Sequence, residues 1–154
     1  MRIDFHYHGL ISTVSDFDPA LFTKSLNCVQ RRGLDAICLC EHLVAPCYIK
    51  PYEWLDSFCA YNNDAYRYQN ILVYTGIEIG VAPRGHIVII GDREQIVALR
   101  VAVLEKYQRG EPAFEQLIEI INDVCERRDV LVIGAHPARV GYELDGLSDR
   151  KSVM

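Results

Sequence analysis

Short apolar runs alternate with longer amphipathic stretches along this chain, and that alternation predicts most of its elements. Arg2 to Phe5 reads as a short strand. Asp18-Pro19 marks a helix start: an N-cap carboxylate, then a proline whose missing N–H is harmless in a first turn. The helix is expected from Ala20 to Arg32, closed by Gly33. Ala36-Ile37-Cys38-Leu39-Cys40 is a continuous apolar run, the pattern of a strand covered on both faces. Strand, helix and strand in this order make a βαβ unit.

Tyr52 to Gln69, rich in aromatics and weakly periodic, predicts a further helix. Ile71–Ile77 and Ile87–Ile90 predict strands, and Arg93–Gln108 and Ala113–Arg128 two helices. In the last of these, Phe114, Leu117, Ile118, Ile121, Val124 and Cys125 recur at helical spacing and form one apolar stripe. Val130–Ile133 is a fifth strand, ending in Gly134-Ala135-His136-Pro137. Only six residues, Gly80 to Gly85, separate Ile79 from His86. A parallel crossover needs a dozen or more, so an antiparallel hairpin is expected here. It would bring Glu78 and His86 to the same end of the sheet.

A length of 154 residues fits one domain, 1–154, with enough chain to bury a core. The net charge of −5, from 16 Lys+Arg against 21 Asp+Glu, argues against a broad basic face for extended nucleic acid. It leaves room for a phosphate-handling enzyme, because bound cations supply positive charge locally. No stretch has the length of a membrane span, and the start lacks the apolar run of a signal peptide. The six cysteines form no Cys-x-x-Cys pair. They are expected to be reduced thiols of a cytoplasmic protein.

The chemistry lies in the histidines. His6 and His8 follow the first strand at a spacing that projects both to one side. Glu41-His42 follows the second strand, Glu78 ends the third and His136 the fifth. His86 reaches the same rim through the hairpin. A single histidine at a strand end is ordinarily structural. Here all five histidines of the chain fall on one rim, and in α/β sheets that rim collects reacting groups. Imidazole and carboxylate suit zinc, manganese or iron(II). Adjacent cations activate water and neutralise the oxygens of a group under attack.

These motifs resemble the PHP (polymerase and histidinol phosphatase) family of metal-dependent phosphoesterases. The matching stretches run in order through Asp4-Phe5-His6-Tyr7-His8, Gly33 to Ile37 with Glu41-His42, Gly76-Ile77-Glu78, Gly85-His86-Ile87 and Ala135-His136-Pro137. The resemblance implies an α/β fold, a distorted (β/α)7 barrel, of which about five strands are present. It implies up to three divalent ions. Glu78 would bridge two, one held with His6 and His8, the other with His86 and His136. His42 would serve a third, and Asp16, displaced by about two residues from the family position, is a candidate beside it. Glu78 and His136 would take part in catalysis, with Arg139 gripping a phosphate oxygen; Arg84 is a weaker candidate for that grip. The family's closing Asp-x-His motif is missing, since Asp145 and Asp149 are followed two residues on by Leu147 and Lys151. The barrel is therefore expected to be incomplete, with an open edge that an oligomer would cover.

The implied activity is hydrolysis of a small phosphorylated substrate, a phosphomonoester or nucleotide ester, by metal-activated water. The alternative is a non-catalytic remnant that binds metal or another protein. A C–N-cleaving amidohydrolase is a weaker third reading, because the chain offers no candidate for a bridging lysine or late aspartate.

Overall fold

The computed structural model describes residues 1–10, 16–62, 64–83, 85–108, 111–125 and 130–136. The elements run β1 (Ile3–Tyr7), α1 (Pro19–Arg31), β2 (Ala36–His42), α2 (Lys50–Asp56), β3 (Tyr61–Asn62), β4 (Ala65–Tyr68), β5 (Ile71–Gly80), β6 (His86–Ile90), α3 (Arg93–Tyr107), α4 (Phe114–Val124) and β7 (Leu131–Ala135).

β5 organises the sheet. Its ten residues pair along one edge with β2, in parallel, and β2 pairs in parallel with β1. The other edge is shared. The first half of β5 pairs antiparallel with β4, which pairs with β3, and the second half pairs antiparallel with β6, which pairs with β7. The result is a mixed seven-stranded sheet in an α/β chain, not closed into a barrel. The expected hairpin is present, with Gly80 opposite His86.

Two expectations are corrected. The helix read across Tyr52 to Gln69 is a short helix followed by a hairpin, which raises the strand count among the described residues from five to seven. The chain reverses between the paired Asn62 and Ala65, and Asp64 takes the left-handed backbone (φ 62°) that Asp tolerates better than most residues. Ala65–Tyr68 then adds to β5, and the fully buried Tyr66 is fixed by a 2.9 Å hydrogen bond to Asp56. Tertiary pairing overrides weak helical periodicity here. The last helix ends at Val124, before extended Cys125; its expected continuation to Arg128 lies outside the described residues.

α1 starts as its cap predicts. The Asp18 carboxylate accepts from the amides of Ala20 and Leu21, and Gly33 turns the chain at φ 71°. Its buried face, Phe22, Leu26 and Val29, joins Ile37 and Leu39 of β2, Val73, Ile77 and Ile79 of β5, and the inner faces of α3 and α4 in one core. Strand alternation sends Cys38, Cys40, Val88 and Ile90 to the opposite face, where they form a second, smaller cluster. All six cysteines are free thiols. Among the described residues no helix is long and apolar enough to cross a membrane.

Candidate metal centre

The site is assembled at the end of the sheet where β1, β2, β5 and β7 finish and β6 begins. Register places its centre. Glu78 of β5 lies directly opposite His42 of β2 and Val88 of β6. His86 is two residues before Val88 on the same face, and Ala135, which precedes His136, lies opposite His86. The register of β1 shifts between Asp4 and Tyr7. Beyond it, Tyr7 lies opposite Leu39, while His6 and His8 point toward Glu78. His136 itself takes a left-handed backbone (φ 52°), a conformation that concentrates at functional positions when a non-glycine residue holds it.

Five imidazoles converge on the Glu78 carboxylate, which is only 1% exposed. Oε2 lies 3.3 Å from His6 Nε2, 3.2 Å from His8 Nε2 and 2.9 Å from His42 Nδ1. Oε1 lies 2.8 Å from His86 Nδ1 and 3.5 Å from His136 Nε2. Burial alone would raise the Glu78 pKa, but the imidazoles of His42, His6 and His8 outweigh it and hold the carboxyl far below the usual range. His8 moves the other way. Burial opposes its charge, yet the carboxylates of Glu41 and Glu78 prevail and push its pKa up to about 9.

Neither Glu78 oxygen forms a hydrogen bond of proper geometry despite this crowding. A buried carboxylate in that state calls for another partner, a role a cation would fill. Glu78 Oε2, His6 Nε2 and His8 Nε2 form a triangle with sides of 3.0, 3.2 and 3.3 Å. Tetrahedral zinc with bonds of about 2.0–2.1 Å sets its ligands about 3.3 Å apart, so the donors fit a shared ion. The ligand atoms of Glu78, His86 and His136 make a second group within 4.8 Å. Glu78 belongs to both.

His42 and Asp16 belong to neither group. His42 sits against Glu78 and stacks on the His8 ring at 4.7 Å. Its loop is tied down by Leu43 N donating to Glu78 O and by Arg100 donating to the carbonyls of Leu43 and Ala45. Asp16 is exposed. Arg84 and Arg139 lie outside the described residues, as do Asp145 and Asp149. One residue that the sequence puts on the rim but leaves without a role is Glu41, a buried carboxylate 3.7 Å from His8 Nδ1. The signal was there, because an acid closing an apolar strand is buried and must find partners.

No protein-family model matches the chain, and no curated protein sequence matches it. Solved structures do share its fold. PsfC from Pseudomonas syringae PB-5123 superposes with a TM-score of 0.73 at 23% identity, over 94% of this chain and 60% of PsfC. PfuEndoQ, a lesion-specific endonuclease from Pyrococcus furiosus, gives 0.62 at 18% identity, over 87% of this chain and 34% of the enzyme. Endonuclease Q bound to a 27-mer duplex with an abasic lesion gives 0.53 at 17% identity, over 86% of this chain and 33% of that protein. Endonuclease Q has a PHP-type fold. The chain thus spans somewhat over half of PsfC and a third of endonuclease Q.

Proposed function

We propose that this chain carries the metal centre of a PHP-type phosphoesterase, in which Glu78 would help to hold two divalent ions and a phosphate ester would be hydrolysed. The observation that carries the reading is the buried Glu78 carboxylate, without a proper hydrogen bond and contacted by five imidazoles. Likeness in fold to a lesion-specific endonuclease supports the same class of chemistry. His6 and His8 would hold one ion with Glu78, and His86 and His136 the other. Zinc, manganese or iron(II) suits these donors, and such ions activate water and screen the charge of the attacked phosphate.

The protein's own groups do the rest. Glu78 keeps its negative charge in a buried position and fixes the spacing of the two groups through its two oxygens. His42, partly exposed and outside both groups, would hand a proton to the leaving oxygen. Arg139, three residues after His136, is assigned to the phosphate oxygens. Asp16 would join His42 only if a third ion draws it in.

The test is metal analysis of the purified chain, then turnover of p-nitrophenyl phosphate, bis-p-nitrophenyl phosphate and an abasic-site duplex. Two ions per chain and hydrolysis that EDTA abolishes are expected. A folded, metal-loaded protein inert on all three substrates would reject the catalytic assignment. It would favour the second reading, a non-catalytic metal-binding module. The observation behind that reading is the open sheet, whose strand β7 leaves Leu131 47% and Val132 38% exposed.

A further inference from the structure

Glu41 is the other buried acid of the site, 1% exposed, and the metal groups do not use it. Its two oxygens face different partners. Oε1 accepts from the amides of Gly9 and Leu10 at 2.6 and 2.9 Å, while Oε2 lies 3.7 Å from His8 Nδ1. The other nitrogen of that ring, Nε2, lies 3.2 Å from Glu78 Oε2. His8 is therefore flanked by a carboxylate on each nitrogen. The chain beyond it is also confined, because a Cβ on Gly9 would meet the buried Phe22 ring at 2.5 Å.

We infer that Glu41 is a positioning residue for His8: Oε2 keeps the ring proton on Nδ1 and so leaves the Nε2 lone pair free for a metal ion, while Oε1 anchors the turn that carries the ring. A histidine offers a metal only the nitrogen that bears no proton, and the partner of its other nitrogen decides which that is. Oε1 already accepts from two amides, so the tautomer with its proton on Nδ1 is the one that gives Oε2 a donor as well. An amide in its place has one oxygen for three donors. Its NH2 group would face either the two backbone amides or Nδ1, and in the second case it moves the ring proton to Nε2, where the metal should be.

This inference rests on the two-ion reading above, and the experiment separates the two. Long-range 1H–15N NMR of the zinc-loaded wild-type chain should show His8 protonated on Nδ1 and metal-bound through Nε2. The converse pattern overturns the inference with no variant involved. In Glu41→Gln, zinc affinity measured by chelator competition should fall about 10–100-fold at one of two sites. His8→Ala should lower it at the same site, and the double variant should lose little more than His8→Ala alone. A merely structural Glu41 would instead lower the melting temperature of the metal-free protein and leave zinc affinity unchanged. A wild-type chain that binds no zinc at all would reject the metal reading itself.

Discussion

Without metal, this protein should lose stability as the solution is made alkaline, and with metal the trend should reverse. The perturbation is titration of His8, whose pKa is about 9 in the folded chain against an ordinary 6.5. A folded-state pKa above the unfolded one means that the charged ring favours folding. That contribution is complete below pH 6.5 and is lost as pH rises through about 9. The gap, at 1.36 kcal/mol per pH unit, is about 3 kcal/mol. The His8 side chain is 29% exposed, so solvent screens it only in part. For a chain of this size, about 2–4 °C of melting temperature per kcal/mol gives a fall of roughly 6–12 °C between pH 6 and pH 9.5. The assay is thermal unfolding by circular dichroism across that range in EDTA, repeated on His8→Gln, which should flatten the slope. With zinc or manganese present the imidazoles must be neutral to bind, so the stabilisation by metal should grow with pH. A metal-free melting temperature that holds steady or rises from pH 6 to pH 9 would refute the placement of His8 between two carboxylates.

Three further outcomes are expected. Glu78→Gln removes the charge and one of the two oxygens that serve the two groups, so metal content should fall from two ions per chain to one or none by mass spectrometry. Gly9→Ala would drive a methyl group into the fully buried Phe22 ring, an overpacking cost of about 1–3 kcal/mol read in urea titration. Tyr52→Phe deletes a buried hydroxyl that donates to the Leu39 carbonyl at 2.9 Å and lies 3.1 Å from that of Gly76; about 1–2 kcal/mol should be lost, with metal content unchanged.

How much of this was legible in the sequence depends on the range of the signal. The Asp18 cap, Gly33 and the apolar run of β2 act within a few residues, and each predicted its element. The hairpin at Gly80–Gly85 was fixed by loop length alone, and with it the position of His86 beside Glu78. The β3–β4 hairpin was missed because Tyr61 to Tyr68 carries aromatics that suit strand and helix alike, and only pairing with β5 decides between them. The forked edge of β5 was invisible for the same reason. In the site, the convergence of histidines on Glu78 could be argued from strand ends. The register shift in β1 and the double role of Glu41 depend on contacts across thirty residues, which no local pattern encodes.

The order of events in building this site follows from its topology. His6, His8, Glu41, His42 and Glu78 come from the parallel β1–β2–β5 block, whose register brings Glu78 level with His42. His86 and His136 arrive through the antiparallel β6–β7 extension. The first ion group is thus complete within the parallel block, whereas the second needs β7 docked on β6. Among the described residues β7 pairs with β6 alone and carries two exposed apolar residues, and a strand held on one side opens more readily than a central one. The two ions should therefore differ in hold. The His6–His8–Glu78 ion should resist chelator longer, and the ion on His86 and His136 should leave first as β7 frays. Stepwise removal by EDTA, followed by NMR of the five histidine rings, would read that order directly; His6 and His8 losing their ion before His136 would mean that β7 is not the weak edge.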